Sequence, residues 1–240
     1  MKMYKLILFA FCTLFLFNCS KETENLSRPT YYMAFEIIGD NPAIVQVGEP
    51  YVDAGVRATM NGQAVTNFTT KSNVDFEEMG LYQVEYSGVN ADGLPSKAVR
   101  DVIVCNPAVT TDLSGVWDVD RDGTTFYVGG ALNRYYGGPG YTVTITRVAP
   151  GFFYISDYLA GFWPVNQARG PAAATFGYFG LNADNSIDAL SSNSNYWGEG
   201  LYSFSNGFYD DSDEDVDIIS YSTNAVSDSY VYNVTLTKGK

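Results

Sequence analysis

Tyr141-Thr-Val-Thr-Ile-Thr-Arg-Val148 alternates apolar and polar residues almost without a fault. A period of two puts every second side chain on one face of a strand, so this stretch predicts a strand with one face in a core and the other in water. Residues 230–237 repeat the pattern: Tyr230, Tyr232, Val234 and Leu236 share one face, against Val231, Asn233, Thr235 and Thr237. Working outward, the same signal recurs in Ser114-Gly-Val-Trp-Asp-Val119, with Trp117 and Val119 on one face, and at 152–155, 173–181, 196–204 and 216–221. Roughly eight short strands, joined by hairpins with no crossover helix, predict an antiparallel meander closed as a β-barrel over residues 107–240.

Upstream, residues 31–106 predict a second all-β unit. Strand-like runs at 34–38, 43–47, 51–58, 81–86 and 98–104 are separated by Gly39-Asp-Asn-Pro42, Asn61-Gly62 and Ala91-Asp-Gly93. Asn61-Gly62 predicts a two-residue hairpin, because both residues tolerate positive φ. In Glu78-Met-Gly-Leu-Tyr-Gln-Val-Glu-Tyr86, Tyr82 precedes Val84 by two, the spacing of the tyrosine corner in immunoglobulin-type sandwiches. Gly80 gives that corner room, and Val84 stands where antibody domains place a Cys. Asp53 and Asp92 read as turn or cap residues. The chain leaves this unit through Cys105-Asn-Pro-Ala-Val-Thr-Thr111, and Pro107, which cannot donate to a ladder, marks the break.

Composition narrows the function. With 14 basic and 27 acidic residues, the net charge is −13. Such a surface repels phosphate backbones, which argues against a nucleic-acid partner. Histidine is absent, which removes His-dependent nucleophilic catalysis and His-ligated metal sites. Of the three cysteines, Cys12 lies in an apolar leader and Cys19 just after it. Cys105 is left at the end of Val102-Ile103-Val104, where it reads as a small buried side chain.

The N-terminus reads as an export signal. Lys2 and Lys5 precede an apolar run from Leu6 to Phe17, too short to span a bilayer as a helix, which takes about 20 residues. Residues 1–18 are therefore expected to be a signal peptide, Cys19 a lipidation site, and residues 19–30 a flexible tether.

Candidate sites are few. Asp210-Asp-Ser-Asp-Glu-Asp-Val-Asp217 places Asp211, Asp213, Asp215 and Asp217 on one strand face, where calcium held by Asp211, Asp213 and Asp215 would relieve their repulsion; a solvated acidic loop is the alternative. No other cofactor is expected. Asp118-Val-Asp-Arg-Asp-Gly123 matches half of an EF-hand loop but has Gly129 where the bidentate Glu belongs, so it reads as a strand end and turn. Glycosidase-type carboxylate pairs need two acids at roughly 5–9 Å, and nothing in the sequence marks one. No catalytic residue is assigned. Tyr135, Tyr136, Trp163 and Trp197 lie in Gly-rich loops, where flat rings either stack on sugars or plug the barrel ends.

Three stretches carry a resemblance: Val47-Gly-Glu-Pro-Tyr-Val-Asp-Ala-Gly55, Gly80-Leu-Tyr-Gln-Val-Glu-Tyr86 and Arg100-Asp-Val-Ile-Val104. They resemble the bacterial Ig-like domains of Bacteroidota surface lipoproteins, and Gly115-Val-Trp117 resembles the opening of lipocalin-type barrels. Cys19 resembles the acceptor of a bacterial lipoprotein signal, and Lys21-Glu22 is similar to the signals that direct such lipoproteins to the cell surface. Together these features are similar to a two-domain Bacteroidota lipoprotein family of unknown function, often encoded with polysaccharide-uptake systems. The resemblance implies a lipid-anchored, surface-exposed outer-membrane protein that binds or presents a glycan without catalysis. The alternative it implies is a structural accessory that docks an outer-membrane transporter. The implied partners are the membrane, a polysaccharide or oligosaccharide, and that transporter.

Overall fold

The computed structural model describes residues 29–240; the expected signal peptide, Cys19 and nearly all of the tether lie outside them. The N-terminal module contains β1 (Met33–Ile37), β2 (Ala43–Gln46), β3 (Val56–Met60), β4 (Gln63–Ala64), β5 (Thr69–Ser72), β6 (Gly80–Val89) and β7 (Pro95–Cys105). One sheet runs β1-β3-β4 and the other β2-β7-β6-β5, with β2 parallel to β7 and the other pairs antiparallel. Between them Val84, Tyr86 and Val102 are buried against Phe35, Phe68 and their neighbours. Asn61 and Gly62 take φ of 50° and 73° between β3 and β4, as the hairpin signal required.

The tyrosine corner is formed. Tyr82 Oη donates to the Glu78 carbonyl at 3.0 Å, and Val84 is fully buried. Gly80 serves the corner by lacking a side chain: a Cβ there would lie 2.9 Å from the Tyr82 ring. Residues 51–55, expected as part of a strand, are irregular, and β3 begins only at Val56. Asp53 explains this. Its carboxylate accepts from the Gly55 amide and the Tyr51 and Tyr86 hydroxyls, which bends the segment toward the module core.

The barrel is built from β8 (Gly115–Val119), β9 (Thr125–Val128), β10 (Ala131–Tyr135), β11 (Thr142–Ala149), β12 (Phe152–Ile155), β13 (Thr175–Leu181), β14 (Ser186–Ser194), β15 (Leu201–Asp210), β16 (Val216–Ala225) and β17 (Tyr230–Gly239). Strands β8 and β11 to β17 follow one another around the wall, and β17 pairs back to β8, so the barrel is eight-stranded, antiparallel and closed. The β9–β10 hairpin pairs with the first half of β17 and projects beside the wall. Neither β9, β10 nor β14 was expected, and the run read as a strand at 196–204 is a loop that becomes β15 at Leu201.

The interior is filled. Trp117, Val143, Phe153, Ile155, Phe179, Tyr232, Val234 and Leu236 are all buried in one cluster, as side chains of an eight-stranded barrel can be. Trp117 Nε1 donates to the Leu113 carbonyl at 2.8 Å, and the Lys238 ammonium lies 5.4 Å from its ring centroid. The void among Ile145, Phe179, Ile187 and Phe204 measures about 10 Å³, room for a single water at most.

The two modules meet in an apolar seam. Ile103 and Cys105 bury themselves against Ala149 and Phe152, with Met79, Leu81, Tyr178 and Leu190 around them. Gly180 gives the Met79 side chain its place in the seam, since a Cβ there would displace the end of the Met79 thioether. The Asn106 amide donates to the Pro150 carbonyl at 3.1 Å, so the connection through Pro107 is fastened to the barrel at its start.

Candidate functional site

Strand direction sorts the loops into two ends. The 181–186 and 210–216 connections share the end at which β8 begins and β17 finishes, and the seam lies against this half of the wall. The 119–142, 155–175, 194–201 and 225–230 connections gather at the opposite end.

That far end is closed by the segment after β12. Asp157 organises it: Oδ1 accepts from the Leu159 and Thr175 amides, both at 3.0 Å, and Oδ2 from the Gly161 amide at 2.8 Å. A left-handed Gly161 (φ 81°) then starts a five-residue π-helical turn, Phe162–Asn166. The result drives Tyr158, Leu159, Ala160 and Phe162 into the barrel core. Burial pushes the Asp157 carboxyl up to about 6, against the three amides that favour its charged form. Above it, Tyr221 Oη donates to the Tyr158 carbonyl at 2.8 Å and Tyr158 Oη to the Tyr178 carbonyl at 2.7 Å. Nothing in the sequence marks Asp157, because a lone Asp between Ser and Tyr carries no spacing signal.

From this plug a ladder of rings runs outward. Phe126 packs on Phe162 with centroids 4.4 Å apart, Phe162 on Trp163 at 5.2 Å, Trp163 on Trp197 at 5.1 Å and Trp197 on Tyr196 at 4.6 Å. Trp163 Nε1 donates to Tyr232 Oη at 3.1 Å, tying the ladder to the wall. Tyr196 is 47% exposed at its tip, and Arg169 Nη1 reaches its hydroxyl at 3.5 Å. Trp197 Nε1 is buried without a hydrogen-bond partner.

The four aromatic residues singled out in the sequence thus have different surroundings. Trp163 and Trp197 are in contact, both partly buried. Tyr135 lies on the exposed β10, half open to solvent, while Tyr136 beside it is 1% exposed with its ring against Phe162. Tyr136 has no ring face open to solvent, and its hydroxyl has no partner.

The acidic run sits at the other end, near the chain terminus. Asp213 Oδ1 accepts from the amides of Asp215 (2.9 Å) and Val216 (3.2 Å), and Asp210 Oδ1 from that of Ser212 (2.9 Å). Lys240 is the local cation: its ammonium donates to the carbonyls of Asp211 and Asp213 and lies 3.6 Å from Asp217 Oδ1. Among the described residues no three His, Cys, Asp or Glu side chains, Asp211, Asp213 and Asp215 included, come together as a metal-holding group. In the EF-hand-like stretch, Asp120 Oδ2 accepts the Gly123 amide at 2.6 Å, which makes it a turn.

Comparison with known proteins gives the family. No curated protein matches the chain. Among solved structures, the lipoprotein BT2262 from Bacteroides thetaiotaomicron is 27% identical, with 86% of this chain and 100% of that chain covered at a TM-score of 0.47. The model of the bacterial surface protein Ig-like domain matches residues 35–104. A second family model, of a C-terminal domain, matches residues 106–238, more than half of the chain. The chain therefore belongs to the two-domain family in which a bacterial surface Ig-like domain precedes this C-terminal barrel domain.

Proposed function

We propose that this is a membrane-anchored, non-catalytic surface lipoprotein that holds a glycan at the far end of its barrel, beside a polysaccharide-uptake system. One observation carries the reading: the ladder from Phe162 through Trp163 and Trp197 to the exposed Tyr196 lies at the barrel end away from the seam with the Ig-like module. Rings held in place by packing offer a face on which the CH side of a sugar can stack, with little ordering cost. A lipid at Cys19, a short tether and the Ig-like module together form a spacer that carries this end away from the bilayer. Non-catalytic action fits the one carboxyl pushed upward among the described residues, Asp157, which is buried and bound to three amides.

The test is a glycan array probed with the intact chain and with Trp197→Ala. Binding by the parent that falls at least tenfold in the variant supports the reading. A parent that binds no glycan, or a variant that binds equally well while still folded, defeats it. Mass spectrometry of the mature N-terminus checks the anchor, since an unmodified Cys19 removes it.

A second reading has its own support. Strand β10 pairs only with β9, and all five of its residues are exposed. Such an open edge is a template for a partner strand, and a transporter docked there would be recovered by crosslinking from Leu132 in membranes.

A further inference from the structure

The barrel wall is thinly joined at two places, β17–β8, paired at Leu236↔Val119 and Thr237↔Asp118, and β14–β15, where a break opens. Strands β14 and β15 pair only at Ser186↔Phe208 and Ile187↔Gly207, although β14 stays paired to β13 up to Ser194 and β15 to β16 back to Leu201. Both strands carry register shifts beside the break, at Tyr178/Phe179 opposite β14 and at Ser205/Phe208 within β15. The seam closes again above it through a side chain, where Ser192 Oγ accepts from the Leu201 amide at 2.8 Å. What remains is an eyelet of about 230 Å³. Its rim is hydroxyl-rich, with Ser191, Ser192, Tyr202 and Ser203, and its floor is Leu201 and Phe204, packed on the barrel core.

We propose that this eyelet is a sugar-binding subsite, taking one ring of an oligosaccharide whose neighbouring residues lie on the 194–201 loop beside Trp197. The proposal rests on the glycan reading above and places a second contact point within it. Strand backbone left without a ladder partner at a barrel wall needs polar company; Ser192 Oγ already takes the Leu201 amide, Tyr202 Oη donates to Glu199 and Ser203 Oγ to Asn224, which leaves the Ser191 hydroxyl to meet a ligand. The volume is below the roughly 300–1,000 Å³ of a drug-sized ligand site, and so suits a single ring. An extended peptide, which unpaired edges also attract, would have to thread an opening closed at both ends. An acyl chain would meet a polar rim.

The experiment uses the intact chain and xylo-, manno-, gluco- and galacturono-oligosaccharides of two to six sugars. Ser191, whose hydroxyl makes no hydrogen bond among the described residues, is replaced in Ser191→Tyr to fill the eyelet. Expected is a loss of at least tenfold in affinity for the longest bound oligosaccharide, with an unchanged melting temperature. Hydrogen exchange of the parent should also show protection at 188–192 and 201–206 when that oligosaccharide is added, a readout that stands if the variant does not fold. Unchanged affinity in the folded variant, or protection confined to 195–198, overturns the subsite and leaves the aromatic reading in place. Failure of every oligosaccharide to bind the parent overturns both.

Discussion

Arg100 and Asp53 meet inside the Ig-like module, with Arg100 Nε 3.0 Å from Asp53 Oδ1. The guanidinium is 2% exposed and also donates to the carbonyls of Ile38, Asp40 and Gly55. One side chain on β7 thus gathers the β1–β2 turn and the irregular segment ahead of β3. The same carboxylate takes the Tyr51 and Tyr86 hydroxyls at 2.9 and 2.7 Å. Burial first, then the bond to Asp53, pushes the Tyr51 phenol up to about 12.

Removing the carboxylate leaves a buried cation without its counter-charge, which typically costs about 3–5 kcal/mol. Asp53→Ala is expected near the lower figure, since three carbonyls still receive the guanidinium. Urea unfolding measures the loss. Ultraviolet titration gives a second readout, because Tyr51 should then ionise at lower pH than in the parent. An Asp53→Ala chain as stable as the parent would show that the carbonyls alone hold Arg100.

Asp157 makes stability depend on pH in an unusual direction. Its carboxyl titrates at about 6 when folded, against an ordinary 3.8, so the folded chain holds a proton that the unfolded chain has released. Stability from this group is therefore present in full below about pH 4, declines as pH rises to about 6, and stays low above that. A shift of about two units corresponds to roughly 3 kcal/mol. The carboxyls of Asp112, Asp184 and Asp210 are held low by hydrogen bonds to nearby Ser residues and act in the opposite sense at lower pH. The difference between parent and Asp157→Asn isolates the effect: melting temperatures at pH 4, 5, 6 and 7 should show the parent losing ground to the variant as pH rises. A constant difference across that range would mean that Asp157 is charged throughout.

The fold was legible wherever burial follows a strict period. Tyr232, Val234 and Leu236 are all buried, as their alternation required, and the corner at Tyr82 was readable because Tyr, Gly and Val occupy a fixed spacing. Strand β14, Ser-Ile-Asp-Ala-Leu-Ser-Ser-Asn-Ser, was not, because a bulge at Leu190 breaks the period and only Ile187 and Ser194 are buried. Its partner β15 has Tyr202 and Phe208 exposed, so apolar residues there do not mark the core face. The aromatic ladder was half legible. Turn residues beside Trp163 and Trp197 placed both in loops, but nothing local says that the two loops meet. Asp157 was invisible for the same reason: its three amide partners lie on both sides of the plug, and one is Thr175.

Gly177 marks the closest approach of β13 to the bulge in β14. A Cβ there would fall on the backbone carbonyl of Ser191, which cannot swing aside as a side chain could. Gly177→Ala is thus expected to cost roughly 3 kcal/mol, at the upper end of overpacking penalties. Gly129→Ala, at the tip of the β9–β10 hairpin, is the control: open space surrounds it, but φ is +57°, and strain alone should cost about 1 kcal/mol. Chemical denaturation of the two variants ranks them, and equal losses would contradict the close approach.

Phe152 and Phe153 are neighbours with opposite duties. Phe153 points into the barrel and stacks on Phe179 with centroids 5.3 Å apart, whereas Phe152 lies in the seam with Ile103 and Cys105. Both are fully buried, and truncating a buried Phe to Ala typically costs about 3–5 kcal/mol. Phe153→Ala should spend that loss on the barrel, lowering its melting temperature. Phe152→Ala should spend it on the seam, leaving the barrel folded and freeing the Ig-like module to swing. Cys105 reports the difference. Its thiol is 2% exposed, and burial raises its pKa, so a maleimide followed by peptide mass spectrometry should label it slowly in the parent. Labelling should be far faster in Phe152→Ala under native conditions. Small-angle scattering should show a larger radius of gyration for the same variant. Parent-like labelling with parent-like dimensions would mean that Met79 and Leu81 hold the modules together without Phe152.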